Sequence, residues 1–257
     1  MNAKRLVVEV RHLSREFEAP APYTPPPTLA GRIGSWFKAT PPGAAPPASF
    51  KALDDVSFDL GSGEVVGVIG RNGAGKSTLL RILSRVMRPS SGEIDIHGRV
   101  GSLLEVGTGF HPDLTGRENV YLNGALLGMP RKEIESKLPA ITEFAEIGDF
   151  VNAPLKHFSS GMYLRLAFAV AIHLDAEVLL LDEVLAVGDE WFGKKCIARV
   201  EEACRSGRSV LIVGHDLRTL ASLCHRIILL DHGRLIEAGA PDGVIARYRA
   251  LGETGGA

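Results

Sequence analysis

The chain has 257 residues, of which 45% are hydrophobic, and a formal net charge of −1. This composition excludes a disordered protein, and the absence of any block of like charges gives nucleic-acid binding no support. Residues 164–181, the most apolar region, are interrupted by charges, so no run of about 18 apolar residues predicts a membrane span. The N-terminus has no signal-type apolar core, and three scattered cysteines without a CxxC motif predict reduced thiols.

The first predicted element is a strand at Leu6–Val10. Residues 18–49 then change character, because nine of the chain's 15 prolines lie between Pro20 and Pro47. Proline fixes φ and removes backbone donors, which predicts irregular or polyproline-like flanks. In the middle of this insert, apolar residues recur at helical spacing and predict a short amphipathic helix that contains Ile33, Trp36 and Phe37.

Downstream, apolar strands alternate with helical patterns. The predicted strands are Val65–Ile69, Val100–Leu104, Val178–Leu181 and Val210–Val213, with a hairpin within 227–236. The predicted helices cover Thr78–Met87, most of 114–175 with a break at 152–154, and Pro241–Leu251. This order predicts an α/β core with a parallel sheet, into which a helical subdomain of about residues 106–172 is inserted.

Residues 70–77 match the pattern GxxxxGK[ST] between a predicted strand and a predicted helix. Backbone N–H groups of such a loop surround phosphate oxygens, and the helix N-terminus adds partial positive charge. Lys76 is expected to reach the β- and γ-phosphates of ATP and Ser77 to bind Mg²⁺, whereas the alternative is a glycine turn without a ligand. The predicted nucleotide-binding residues are Gly70, Asn72, Gly73, Ala74, Gly75, Lys76, Ser77 and Thr78.

Two carboxylates, Asp182 and Glu183, end the predicted buried strand at 178–181. A carboxylate in such a place needs a cation partner, so Asp182 is expected to hold magnesium through water and Glu183 to act as general base. The alternative is a pair of structural acids at a strand end. His215 follows another buried strand, and we expect it to meet Gly70 and Asp182 where parallel strands end. It would contact the γ-phosphate and steady the attacking water.

Phe17 is predicted to follow the first strand, where an aromatic ring would stack on adenine, with ordinary packing in the core as the alternative.

The segment Phe158–Ser159–Ser160–Gly161–Met162, together with these motifs, resembles the ATP-binding subunits of ABC transporters, whose signature is usually Leu-Ser-Gly-Gly-Gln. The resemblance covers most of residues 5–240. It implies a P-loop NTPase core with a mixed sheet, N-terminal antiparallel β elements and an inserted helical subdomain. It also implies two identical subunits that sandwich two ATPs head to tail. Ser159, Ser160 and Gly161 would then cap the γ-phosphate held by the other subunit, and Asp189 would lie in the loop linking the sites.

The residues after the signature narrow the resemblance further. The sequences of 160–169, 180–189 and 107–120 are similar to those of polysaccharide exporters, which move O-antigen, capsule or teichoic acid polymers out of the cytosol. This implies a lipid-linked polysaccharide substrate, a separate transmembrane permease and a position at the cytoplasmic face of the cell membrane. The alternatives are an exporter of a lipid or drug, or a soluble ABC ATPase of translation or DNA repair.

Two positions depart from the family pattern. Glu105 lies where the family usually has a glutamine, and we assign it to the metal site with Ser77 and Asp182. Ser160 replaces a glycine. We expect one domain over 1–257, with a short helix and tail at 241–257 that leave no room for a carbohydrate-binding sandwich. The helix within 18–49 is expected to rest on the membrane surface or the permease, with a loop packed on its own core as the alternative.

Overall fold

The computed structural model describes residues 5–18, 49–103, 107–182 and 190–254. The strands in these ranges are β1 (Leu6–Glu18), β2 (Ser49–Gly61), β3 (Val65–Ile69), β4 (Ser91–Ile96), β5 (Val100–Ser102), β6 (Val178–Asp182), β7 (Ser209–Val213), β8 (Arg226–Asp231) and β9 (Arg234–Gly239). The α-helices are α1 (Lys76–Leu83), α2 (Gly116–Leu126), α3 (Arg131–Ala145), α4 (Ser160–Ile172), α5 (Glu190–Arg205), α6 (Leu217–Leu223) and α7 (Pro241–Thr254).

The strands form two sheets. One has six strands in the order β5-β6-β7-β3-β8-β9, and the other has three in the order β2-β1-β4. All neighbours in the larger sheet are parallel except β8 and β9, which form an antiparallel hairpin at the edge. The mixed sheet, the hairpin and the N-terminal antiparallel strands confirm the fold class predicted from the sequence.

Alternating side chains of the central strands enter two separate cores. On β3, Val65 and Ile69 face a core shared with the helices, whereas Val66 and Val68 face a core shared with the small sheet and α1. Because parallel strands covered on both faces need no polar side, β3 and β7 are buried at every position. The larger sheet is therefore covered on both faces, and it positions the strand ends that carry the predicted site residues.

The helical subdomain lies between β5 and β6 in the sequence. It contains α2, α3, two short 3₁₀ turns at Gly148–Asn152 and Leu155–His157, and α4. Thr115 begins α2 with a capping box, in which its hydroxyl accepts from Glu118 N while the Glu118 carboxylate accepts from Thr115 N. The predicted break at 152–154 is confirmed, because Ala153 and Pro154 separate the two 3₁₀ turns.

The N-terminal strands are longer than the sequence predicts. β1 continues to Glu18 instead of ending at Val10, so the prediction that Phe17 follows the first strand is wrong. The pairing of β1 with β2 shifts register between Val10 and Leu13, and His12 there has φ of +51°. These irregularities interrupt the alternation of apolar and polar residues. The second half of the strand therefore lacks the period-two pattern from which a strand is predicted.

Several predicted features lie outside the described residues. These are most of the proline-rich insert with its predicted amphipathic helix, the metal candidate Glu105, the predicted base Glu183, and the loop that ends at Asp189. Among the helices that the structure does describe, none combines the length and apolar character needed to cross a bilayer.

Candidate nucleotide-binding site

The register of three neighbouring strands brings the predicted site residues to one edge of the larger sheet. This edge is formed by the carboxyl ends of the parallel strands. Asp182 on β6 pairs with Val213 on β7, and Val213 pairs with Val68 on β3. His215 lies two residues beyond Val213, and Gly70 lies two residues beyond Val68. Since adjacent strands are about 4.8 Å apart, the chain segments that carry Gly70, Asp182 and His215 leave the sheet side by side. This edge is where α/β sheets bind ligands.

The N-terminus of α1 points out of this edge without a side-chain cap. The first α-helical hydrogen bond runs from Leu79 N to Gly75 O, so the N–H groups of Lys76, Ser77 and Thr78 precede the helical ladder. No side chain among the described residues caps this end, and no acid lies in the first turn. The helix end is therefore a set of convergent donors with partial positive charge, which suits a phosphate group.

Lys76 places a buried cation beneath the loop. Only 7% of the residue is exposed. Its ammonium donates to the carbonyl oxygen of Gly70 at 2.7 Å and to that of Arg71 at 3.0 Å. The backbone of the loop therefore passes over the ammonium. A buried ammonium is costly unless its donors are satisfied, so this loop is shaped around the charge. The exposed Asn72 and Gly73 at the loop's crest leave the site open to solvent.

Gly75 joins the loop to the helix and accepts no other residue type without strain. Its φ is +101°, and an added Cβ would lie 2.4 Å from the carbonyl oxygen of Ala52 on β2. The left-handed backbone turns the chain into α1, and the missing side chain allows β2 to pack against the turn. The small sheet thus supports the phosphate loop directly.

The sheet edge also carries Asp182 and His215. Asp182 is half-buried as the last residue of β6, and His215 is exposed in the turn after β7. The next residue, Asp216, caps α6 by accepting from Arg218 N and Thr219 N. A hydrogen bond from the Thr219 hydroxyl holds the pKa of Asp216 below its usual range. The cap fixes the turn that presents His215, and the spacing Asp216–Thr219 is the sequence signal for it.

The signature turn is an exposed helix start. Ser159 is the N-cap of α4, and its hydroxyl accepts from Met162 N at 3.1 Å. A hydroxyl that accepts one bond is still able to donate another. Among the described residues, a Cβ added to Gly161 would meet only the Ser159 hydroxyl, at 3.8 Å, so these residues leave the space beside the turn open. Ser159 and Ser160 are both exposed in the single chain.

Side chains that the sequence interpretation missed hold α4 in place. Arg165 pairs with Glu146 at 3.4 Å, and the same carboxylate accepts from Lys195 of α5 at 2.8 Å. Glu146 is itself the left-handed C-cap of α3, with φ of +56°. One carboxylate therefore connects three helices of the subdomain and core, and spacings of 19 and 49 residues give no local pattern that reveals it.

Phe17 lies at the far end of the β1–β2 ladder. Its ring stacks on Phe50 with centroids 5.5 Å apart, and the Arg15 guanidinium lies 4.7 Å from its centroid. Phe50 is two residues from Ala52, which touches the phosphate loop at Gly75. Phe17 is half-buried and Phe50 is exposed, so this aromatic pair is a surface feature beside the loop and not part of the core.

Two of the three cysteines, Cys196 and Cys224, are buried. Burial raises the pKa of both Cys196 and Cys224 to about 12, so these thiols stay protonated near neutral pH.

The residues present fit a magnesium–nucleoside triphosphate. The uncapped helix end and the Lys76 ammonium supply donors for phosphate oxygens, and Ser77 with Asp182 supplies oxygen ligands of the kind that magnesium takes. The described residues contain no cluster of three or more His, Cys, Asp or Glu, which is the pattern of a metal held by protein alone. A cation shared with substrate phosphates needs no such cluster.

Comparison with known proteins agrees with this geometry. Residues 53–186 match the family model described as ABC transporter. Over 202 residues the chain is 47% identical to ABC transporter protein AbcA of Aeromonas salmonicida, covering 79% of this chain and 66% of AbcA. It is 44% identical over 200 residues to the O-antigen export system ATP-binding protein RfbB of Klebsiella pneumoniae, covering 78% and 81%. It is 40% identical to the teichoic acids export ATP-binding protein TagH of Listeria monocytogenes, covering 95% and 70%.

The chain thus spans just under two thirds of AbcA and larger shares of the other two relatives. Among solved structures, an ATP-binding subunit of an ABC transporter superimposes with a TM-score of 0.72 at 24% identity, over 94% of this chain and 93% of that one. The structural likeness establishes the fold. The match to more than half of the chain by the family model, and the sequence identity to RfbB, establish that this chain belongs to the ABC transporter family.

Proposed function

We propose that this chain hydrolyses ATP as a head-to-tail pair of identical copies, and that hydrolysis drives export of a lipid-linked polysaccharide through a separate transmembrane subunit. The observation that carries the ATPase proposal is the buried Lys76 ammonium, which lies beneath an uncapped helix end where β3, β6 and β7 finish. A site with these parts binds polyphosphate and stabilises charge that develops on it.

Five of the predicted residues have distinct roles in this reaction. Lys76 and the first N–H groups of α1 bind phosphate oxygens, while Ser77 and Asp182 would hold Mg²⁺, which neutralises charge on the β- and γ-phosphates. Glu183 accepts a proton from the attacking water, and His215 orients that water. The oxygen of water bonds to the γ-phosphorus as the bond to the ADP oxygen breaks.

The second copy supplies the remaining contacts. In one chain Ser159 and Ser160 are exposed, and no described residue other than Ser159 would meet a Cβ added to Gly161. Apposed to the phosphate loop of another copy, Ser159 would donate to the γ-phosphate, and the α4 N-terminus would add partial positive charge. Asp189 belongs to the loop that would connect the two sites.

Replacing Ser159 with aspartate tests this arrangement. Aspartate is as good an N-cap as serine, so α4 should keep its cap and the melting temperature should change little. Its charge would repel the γ-phosphate of the partner's ATP. We expect at least a ~10-fold loss of ATP hydrolysis, whereas binding of nucleotide to the isolated monomer should be unchanged.

Ser159→Asn is the matched control for Ser159→Asp, because asparagine has the shape and the capping ability of aspartate without its charge. The asparagine variant should keep far more activity than the aspartate variant. Equal activity of the two variants would show that no phosphate approaches this turn.

A cleft of about 370 Å³ between core and helical subdomain is the proposed docking site for the transmembrane subunit. Its wall includes two apolar side chains that remain exposed, Val86 after α1 and Leu126 at the end of α2, at 60% and 64%. Exposed apolar side chains at the rim of a cleft are typical of protein contact sites. A docked subunit would lie beside Gly107 and Ser102, close to the nucleotide edge.

Replacing Leu126 with glutamate should uncouple this contact. The side chain is largely exposed, so we expect basal ATPase activity and folding to be kept. In proteoliposomes with the transmembrane subunit, lipid-linked polysaccharide should stimulate hydrolysis by the unsubstituted chain, whereas the variant should lose this stimulation. Ile236→Glu, on the exposed face of β9, is the control. Full stimulation of Leu126→Glu would place docking elsewhere, and stimulation by the bare lipid carrier would contradict the polysaccharide assignment.

The substrate class rests on the relatives, whose names specify O-antigen and teichoic acid export. A lipid-linked polysaccharide of the O-antigen, capsule or teichoic acid type is therefore the proposed substrate class, and the chain is placed at the cytoplasmic face of the cell membrane.

A further inference from the structure

One hydrogen bond joins the signature helix to the segment that leaves the core. The Tyr163 hydroxyl, in the first turn of α4, donates to the carbonyl oxygen of Gly107 at 2.9 Å. Ser159, the N-cap of the same helix, lies four residues earlier. Gly107 follows residues 104–106, the segment that contains Glu105. The bond therefore connects the signature helix to a turn that lies 56 residues earlier in the sequence.

The turn at Gly107 is shaped to fit this tyrosine. Gly107 has φ of +85°, and an added Cβ would lie 2.7 Å from both the Cε1 and the hydroxyl oxygen of Tyr163. The Phe110 ring packs edge-on against Tyr163, with centroids 5.3 Å apart. Glycine is thus required at position 107 for its backbone conformation and for the close approach of the ring.

The same turn is tied to α2. The buried side-chain amide of Asn123 donates to the carbonyl oxygen of Thr108 at 2.8 Å. Two side chains, from α2 and α4, therefore attach residues 107 and 108 to the helical subdomain.

The chain is attached to the core immediately before this turn. Leu103 is fully buried, and its N–H donates to the carbonyl oxygen of Leu180 at 2.9 Å. Leu180 lies two residues before Asp182 on β6. Three residues, 104–106, separate Leu103 from Gly107 in the sequence.

We propose that Tyr163 is a positioning residue that fixes the signature turn relative to the Gly107 turn, so that Ser159–Gly161 meets the partner's ATP in the correct position. This inference rests on the proposed head-to-tail function. Tyr163 acts through Gly107 and the start of α4 and does not touch the nucleotide itself. Without its hydroxyl, the signature turn is no longer fixed relative to the Gly107 turn, and closure of the two copies on ATP becomes less favourable.

The test is Tyr163→Phe, which removes only the hydroxyl and keeps the ring packed on Phe110 and Gly107. The bond is worth about 0.5–1.5 kcal/mol, which corresponds to a fall of roughly 2–10-fold in kcat. The affinity of the isolated monomer for ATP should stay unchanged. In the Glu183→Gln background, the dissociation constant of the ATP-bound dimer should rise by a similar factor. Tyr248→Phe on α7 is the control, and it should change neither kcat nor the dissociation constant of the ATP-bound dimer.

A purely structural tyrosine would lower the melting temperature and leave kcat and the dimer dissociation constant unchanged, and that result would overturn the inference. Failure of the proposed function is distinguishable from this outcome. If Glu183→Gln with the native Tyr163 forms no dimer with ATP, the head-to-tail arrangement itself is contradicted. If it dimerises and the added Tyr163→Phe dimerises equally well, only the role of Tyr163 is contradicted.

Discussion

Replacing Lys76 with alanine should abolish ATP hydrolysis and strongly weaken ATP binding. The ammonium is held under the phosphate loop by the carbonyl oxygens of Gly70 and Arg71. A charge-assisted hydrogen bond is worth about 1.5–3 kcal/mol, so binding should weaken by roughly 10–100-fold. Hydrolysis should fall by at least about 10²-fold, because the same charge opposes negative charge in the transition state. Titration with a fluorescent ATP analogue and a phosphate-release assay measure the two effects.

Lys132→Ala is the matched control for this experiment. Lys132 is exposed in the first turn of α3, and its removal should change neither binding nor hydrolysis. The Lys76 substitution also leaves two carbonyl oxygens without their donor, so the melting temperature should be measured on both variants. Tight ATP binding by folded Lys76→Ala would contradict the assignment of the phosphate loop.

Glu183→Gln should separate ATP binding from hydrolysis. Glu183 directly follows Asp182, the last residue of β6, at the edge of the sheet that carries the phosphate loop. Loss of a general base slows a reaction by about 10²–10⁴-fold, whereas the neutral amide keeps the shape of the side chain. The variant should bind ATP and accumulate as a dimer on gel filtration, since the step that reopens the dimer is removed.

The conservative substitution Glu93→Gln, on exposed β4, serves as the control and should hydrolyse ATP normally without trapping a dimer. Hydrolysis by Glu183→Gln at the rate of the unsubstituted chain would remove Glu183 as the base.

The parts of the site that the sequence predicts are those encoded by short, contiguous patterns. The strand Val65–Ile69 has the predicted limits because it is a continuous apolar run bounded by turn residues. The parallel sheet then determines that the strand ends beyond Ile69, Leu181 and Val213 lie together, and the register shows this arrangement. The convergence of Gly70, Asp182 and His215 is therefore accessible from strand order and the physics of parallel sheets.

The features that the sequence does not predict depend on pairing between distant residues. The second half of β1 is hidden by register shifts around His12, and its partner β2 begins only after the insert. The contacts Tyr163–Gly107 and Glu146–Arg165 span 56 and 19 residues and leave no periodic pattern. The predicted helix Thr78–Met87 ends early, at Leu83, because Ser84 caps it and Arg85 adopts a left-handed φ of +62°.

Each ATP site is proposed to be shared between two copies of the chain, and mixing two impaired variants tests this sharing most directly. Glu183→Gln keeps the native signature turn, and Ser159→Asp keeps the native base. In a mixed head-to-tail dimer, one site carries both substitutions and the other carries neither.

Random pairing makes about half of the dimers mixed, with one intact site of two, so an equimolar mixture should regain up to about a quarter of the unsubstituted activity. Each variant alone, at the same total concentration, should keep at most about a tenth of the unsubstituted activity. If each site were built within a single chain, no site would contain both the native Glu183 and the native Ser159, and the mixture would be no more active than its components.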